Sequence, residues 1–225
     1  LMCEFWSGLL SAFDSAKFVS SAAHLNGSPI VGAEAFTCFG GWDRHPAQQK
    51  VVGDKAWAEG INRFIMHTYA QQPWNVGPGL AMGGYGWDFN RNNTWWRPGK
   101  SYLDYIGRAQ FLLQQGRNVA DVLVFVGEES PNNAFQMPEI KRAGYDYDLI
   151  GADQLLALTC RDGYVCGKAG NRYKVLALPD SKWMRPELLA KIESLAEAGA
   201  TIIGTIPRMV VIAVMSTGRT RRGQA

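Results

Sequence analysis

Residues 28–37, SPIVGAEAFT, constrain the fold more than any other stretch. Pro29, Ile30, Val31, Gly32 and Ala33 are apolar or small throughout, the pattern of a short parallel strand buried on both faces. The run ends on Glu34 and enters an aromatic, glycine-rich loop with Phe36, Phe39, Gly40, Gly41 and Trp42. In a parallel β/α barrel, a carboxylate at the carboxyl end of a strand faces the site and not the core. Taken alone, Glu34 suits a solvated strand end equally well, so the neighbouring stretches carry the argument.

Those stretches repeat one rhythm. Residues 15–25 have helical spacing, with Phe18, Ala22 and Leu25 on one side and Asn26-Gly27 as the stop. Residues 46–59 predict a second helix stopped by Gly60, and 62–69 a strand ending in His67, Thr68 and Tyr69. Helix, strand and polar-aromatic loop thus recur in the order of an α/β barrel or doubly wound sheet. Ahead of them, residues 2–6 (MCEFW) form an acidic-aromatic cluster with no strand before it. Residues 72–100 predict a long irregular segment, usually a functional one inside a domain. Its aromatics (Trp74, Tyr85, Trp87, Trp95, Trp96) argue against disorder. Residues 101–115 predict a helix closed by Gly116.

The composition changes near residue 118. Residues 119–126, 173–178 and 200–203 predict strands, and 151–158 and 186–198 helices, a flavodoxin-like succession. The expected organisation is therefore 1–118, 119–206 and an atypical tail at 207–225, which reads as a frameshifted or truncated end. Loops carrying Glu128 and Asp180 follow the strands, but no GxGxxG or Walker pattern accompanies them, so no nucleotide site is expected. The acidic pairs Glu128-Glu129 and Asp146/Asp148 read as solvated or structural.

Composition sets the remaining bounds. The net charge of +3 falls to −1 without Arg208, Arg219, Arg221 and Arg222 of the tail. No basic stripe with interleaved aromatics exists, so nucleic acid is not an expected partner. No stretch is long and apolar enough to cross a membrane, and no signal peptide opens the chain. Cys160 and Cys166 bracket a turn that a disulfide could close, and a free pair fits as well. No CxxC or HExxH spacing suggests zinc. Leu1 is not an initiator, and the chain reads as a fragment opening inside a motif.

Taken together, MCEFW (2–6), SSAAHLNG (20–27), GAEAFT (32–37), GINRFIMHTYAQQP (60–73), NNTWW (92–96) and YIGRAQFLLQQGRNVADVLVF (105–125) resemble the α-L-rhamnosidases of glycoside hydrolase family 106. YDYD (145–148) and YKVLALPDS (173–181) extend the resemblance over residues 1 to about 205. It implies the C-terminal part of a catalytic (β/α)8 barrel followed by a flavodoxin-like α/β domain, in a longer periplasmic or extracellular enzyme. The implied activity is hydrolysis of terminal α-L-rhamnosyl linkages with inversion, in a rhamnose-containing oligosaccharide or glycoside. Two carboxyl groups would act from opposite faces of the sugar, with calcium at the sugar site. Glu34 would be the general base and Glu4 a second active-site carboxylate or calcium ligand. The general acid would lie in an upstream Asp-Ser-x-Glu type motif absent here, leaving this chain alone inactive. His67 and Tyr69 would meet sugar hydroxyls, and Trp42, Trp95 and Trp96 would stack on sugar faces. Another barrel glycosidase, as in family 42 β-galactosidases, and a non-catalytic carbohydrate-binding protein are the competing expectations.

Overall fold

Each apolar run pairs in parallel with the next and a helix returns the chain between them, as parallel pairing requires. The computed structural model describes residues 1–8, 14–128, 137–205 and 209–210. The first half runs β1 (Met2–Trp6), α1 (Asp14–Asn26), β2 (Gly32–Thr37), α2 (Pro46–Ala58), β3 (Arg63–Met66) and α3 (Lys100–Leu113). There follow β4 (Val122–Phe125), α4 (Pro138–Arg142), β5 (Tyr147–Ile150), α5 (Ala152–Leu156), β6 (Thr159–Arg161), β7 (Tyr164–Cys166) and β8 (Arg172–Tyr173). The last described elements are β9 (Val175–Ala177), β10 (Trp183–Met184), α6 (Pro186–Glu197), β11 (Thr201–Ile203) and β12 (Met209–Val210).

The first sheet has the order β1-β2-β3 and is parallel throughout. One face carries Phe5, Ala33, Ala35 and Phe64, which pack with Ala16 and Ala23 of α1, Ala56 and Trp57 of α2, and Ile106 of α3. Phe5 is fully buried, with Phe36 and Phe64 edge-on at 5.1 and 5.4 Å. MCEFW is therefore itself a strand. Cys3 and Phe5 point to the helices while Met2, Glu4 and Trp6 alternate to the other side, the period-two signature of a half-buried strand. Glu34 is the third of six strand residues and not the last, because pairing starts at Gly32, opposite Met2.

The second sheet has the order β11-β9-β4-β5, again parallel. Counted along the chain, its strands lie in the order 2-1-3-4. Leu123, Phe125 and Leu176 form its core with Leu188, Ile192 and Leu195 of α6. Their i, i+4, i+7 spacing is the apolar stripe of an amphipathic helix. The expected strand over 173–178 divides at Lys174 into β8 and β9. Tyr173 joins an unforeseen antiparallel sheet, β6-β7-β8. In that sheet Cys160 pairs with Val165 and Cys166 with Thr159. Successive residues of a strand face opposite ways, so the two cysteines point to opposite faces of the hairpin and both are free thiols. Of the tail, β12 pairs with β10, and residues 211–225 lie outside the described residues.

Helix α1 joins the two sheets. Its Ala16 and Ala23 serve the first core and Phe18 and Leu25 pack with the second sheet, while Lys17, Ser21 and His24, at i, i+4, i+7, reach β5 and the residue before it. Lys17 Nζ lies 2.7 Å from Asp146, the Leu149 N–H donates to Ser21 Oγ at 3.0 Å, and His24 Nδ1 meets Asp148 at 2.8 Å. Asp148 is completely buried, so the solvated reading of that acidic pair does not hold for it. It also accepts from Tyr173 Oη at 2.8 Å and Asn118 Nδ2 at 3.4 Å. Burial alone would raise its pKa. The His24 hydrogen bond and charge, with Lys17 and Tyr173, outweigh burial and hold the carboxyl below its ordinary value of 3.8.

Removing a hydrogen-bond partner of a buried carboxylate leaves that carboxylate undersatisfied. His24→Ala is expected to lower unfolding free energy in urea by about 3 kcal/mol at neutral pH. Asp148 has a depressed folded-state pKa, so its stabilisation is complete above its unfolded value of about 3.9 and fades as pH falls through the folded value. The wild-type urea midpoint should therefore drop below about pH 4 more steeply than that of Asp148→Asn; parallel acid limbs would refute the assignment.

Candidate active site

Register sets the geometry here. Glu4 pairs with Glu34, and Glu34 with Ile65, so all three stand on the sheet face away from the helices. Neighbouring strands are about 4.8 Å apart, which makes the two carboxylates adjacent. Trp6, two residues beyond Glu4 and on the same face, donates its indole N–H to Glu4 Oε1 at 3.1 Å. Glu34 Oε1 accepts from Thr37 Oγ1 at 2.8 Å. Neither carboxylate makes an ion pair among the described residues.

Strict alternation would turn Thr37 away from Glu34. The pairing instead shifts between Phe5 and Trp6, so that Phe5 faces Ala35 but Trp6 faces Thr37. Phe36 is the extra residue of a β-bulge and takes φ +69°, rare for a bulky side chain. Its ring stays in the core against Phe64 and Trp87 at 5.3 and 5.5 Å, and Thr37 comes round to the carboxylate.

His67 follows β3, its N–H donating to Ala35 O at 2.9 Å. Alternation places it on the side of Ile65 and Glu34. Its Nδ1 is buried with no partner, sealed by Gly86: a Cβ there would stand 3.1 Å away.

The segment after β3 keeps its shape through amides and glycines. Gln72 Nε2 donates to Ala70 O and Leu80 O at 3.1 and 2.6 Å, while its Oε1 accepts from Leu80 N at 2.8 Å and Asn92 Nδ2 at 3.3 Å. Trp87 N–H donates to His67 O, Thr68 N–H to Trp87 O, and Gly86 N–H to Cys38 O. Residues 86–87 thus lie between the ends of β2 and β3. Gly41 permits this approach, since a Cβ on it would be 1.9 Å from Gly86 O. Asp88, 2% exposed, has an unpartnered Oδ1, and burial pushes its pKa up.

The expected aromatics divide. Trp95 is buried, stacked on Trp87 at 4.7 Å, and its indole N–H donates to Arg44 O at 2.9 Å. Trp96 packs edge-on to Phe89 at 5.3 Å. Both join the core on the helix side of the sheet, not the carboxylates. Trp42 is half-buried against Gly79, and Tyr69 is exposed. Sequence reasoning missed a second cluster: Trp6, Phe39 and Tyr85, with centroids 5.1–6.0 Å apart. Phe39 and Tyr85 are more than half exposed. The available signal was position, since Trp6 ends β1 and Phe39 lies two residues beyond β2.

Calcium takes about six to eight oxygens, of which Glu4 offers at most two. Among the described residues no three His, Cys, Asp or Glu side chains gather as a metal site. These residues do not by themselves fit a complete calcium site.

With this geometry in place, comparison with known proteins is direct. Residues 2–211 match the family model described as glycoside hydrolase 106, alpha-L-rhamnosidase. A protein of Formosa agariphila carrying the provisional name beta-glucuronidase is 63% identical over 208 residues, 92% of this chain and 18% of its own length. The structure of a rhamnosidase from Novosphingobium sp. PP1Y superposes with a TM-score of 0.82 at 31% identity, over 92% of this chain and 21% of that one. The chain spans about a fifth of the length of each.

Gly41→Ala should separate the two loop backbones, at an overpacking cost of about 1–3 kcal/mol. Thermal melting and proteolysis within residues 72–100 of the full-length protein measure it. Gly84→Ala, where a Cβ meets nothing within 4 Å, is the control and should melt with the wild type.

Proposed function

The chain belongs to glycoside hydrolase family 106, the α-L-rhamnosidases, and we propose that within a longer enzyme it supplies the base side of an inverting α-L-rhamnoside hydrolysis. The observation that carries this reading is the in-register placing of Glu4 and Glu34 on the face away from the core, with Thr37 fixing one oxygen of Glu34. The other Glu34 oxygen takes a proton from water as that water attacks the anomeric carbon. Protonation of the departing oxygen must come from the opposite face of the sugar, with the two carboxyl groups roughly 6.5–9.5 Å apart in an inverting enzyme. Glu4 is unsuited to that part. Strands about 4.8 Å apart leave no room for a sugar ring between their side chains, so both glutamates lie on one side of it. By the family resemblance, the acid belongs to residues outside this chain, and the chain alone is inactive.

In this reading Glu4 orients the water or a sugar hydroxyl, His67 Nε2 meets a second hydroxyl, and Tyr69 lies at the rim. Trp6, Phe39 and Tyr85 offer the stacking surface, since Trp95 and Trp96 are committed to packing. The proposal extends to the (β/α)8 barrel, of which β1–β3 and their helices are the closing part, and to a flavodoxin-like unit from about residue 119. The strand order 2-1-3-4 supports the latter. Calcium, with Glu4 as one ligand, and export to the periplasm or exterior rest on the family resemblance. Among the described residues no helix is long and apolar enough to cross a membrane.

Hydrolysis of an aryl α-L-rhamnoside by the full-length gene product, beside its Glu34→Gln variant, tests the reading. Loss of the base should lower kcat by roughly 10²–10⁴-fold with melting unchanged, and proton NMR should show the β-anomer of rhamnose forming first. Retained turnover in the variant, or the α-anomer first, refutes it. An aryl β-glucuronide assayed in parallel tests the activity named for the Formosa relative.

A further inference from the structure

The crevice outside the carboxyl ends of β4 and β9 lies at the topological switch point of the second sheet, where strand order reverses and where open α/β sheets hold their ligands. A cavity of about 280 Å³ opens there, floored by Phe125, Pro179 and Met184. Phe125 and Met184 are essentially buried, whereas the Trp183 indole beside them is half exposed. The volume falls just below the roughly 300–1,000 Å³ of drug-sized pockets, so it suits one ring and not a dinucleotide.

The polar groups at its mouth determine what charge that ring can carry. The amino end of a helix ordinarily attracts an anion. At α6 the protein's own Glu128 takes that place, accepting from the Arg185 N–H at 2.9 Å and pairing with the Arg185 guanidinium. Pro186, the first residue of α6, has no N–H to offer. A phosphate or carboxylate would meet a carboxylate already seated, and a cation would meet a guanidinium. Arg185 also pairs with Glu187 Oε1 at 2.9 Å, so its one guanidinium is shared by two carboxylates and an anion is repelled further. A neutral ligand with several hydroxyls suits this mouth, because it can donate to carboxylate and accept from guanidinium. The Trp183 ring supplies an apolar face beside them, and its backbone is held by pairing with β12 and by Ser181 Oγ.

We propose that this crevice is a second carbohydrate site, binding one neutral sugar residue of a glycan against Trp183, apart from the carboxylates of the first sheet. It does not rest on the assignment of Glu34, because it shares no residue with that site.

Saturation-transfer NMR on the full-length protein tests it, with the methyl glycosides of L-rhamnose, D-galactose, D-glucose and D-xylose as probes and inorganic phosphate as competitor. Losing an aromatic contact of about 1.4 kcal/mol weakens binding about tenfold. For at least one glycoside, Trp183→Ala should weaken binding by about that factor and Trp183→Phe should restore most of it. Phosphate should not compete, and hydrolysis of the aryl rhamnoside should be unchanged. Equal transfer in wild type and Trp183→Ala for all four sugars, no transfer to any, or displacement by phosphate would overturn the proposal. A Glu34→Gln variant that fails to lose activity would refute the base assignment and leave this result as it stands.

Discussion

One added residue in β2 governs the chemistry-bearing face of the first sheet. Parallel pairing commits Glu4 and Glu34 to one side, but the pleat would commit Thr37 to the other. The bulge at Phe36 resolves the conflict. Its left-handed backbone costs about 1–2 kcal/mol, and burial of the phenyl ring returns about 1.5–3 kcal/mol. Burial wins, so the conformation persists without a glycine. The outcome is a carboxylate with one oxygen held from its own strand and the other open to the sheet surface. Strain of this kind, maintained by packing behind it, recurs where a chain must aim a group away from its regular direction.

Beyond β3 the chain has no regular ladder to satisfy its amides, and side chains take over. Gln72 binds three partners at once across residues 70–92, and Asn93 donates to Asp88 O. Buried backbone groups must find partners somewhere, and an amide side chain provides donor and acceptor together. The abundance of Asn, Gln and Gly here thus builds a defined surface from irregular chain. His67 Nδ1, Asp88 Oδ1 and Asn90 Nδ2 are buried atoms of this region that the accounting leaves unmatched.

What was legible in the sequence follows from which forces act locally. Except for the short α4, the helices announced themselves through stop signals and periodicity: α2 begins at Pro46 and ends before Gly60, and α6 spaces Leu188, Ile192 and Leu195 in one stripe. Glu34 stood out because an acid interrupting an apolar strand is conspicuous. MCEFW was harder, since five residues hold too few alternations to separate a strand from a loop. The WW pair drew attention for its chemistry, yet burial depends on Trp87 and Arg44, far away in sequence for one of them. Sequence left Asp148 open between a solvated and a structural role because the donors that hold it come from α1 and β8. Non-local partners decide such cases, and no window of neighbouring residues contains them. The bulge at Phe36 was invisible because nothing in GAEAFT, lacking a glycine at that point, signals an unusual φ.

Helix α1 has a further consequence for how such a chain can be divided or recombined. It shields the first sheet with alanines while Lys17, Ser21 and His24 complete the polar requirements of β5. A cut at the change of composition near residue 118 would therefore separate a buried carboxylate from a hydrogen-bond partner. The inheritable unit of this region is the pair of sheets together with α1, and exchange of one sheet between relatives requires matched residues at positions 17, 21 and 24. The same bonds make the two sheets thermodynamic partners, so occupancy of a crevice on one of them raises the resistance of the other to unfolding.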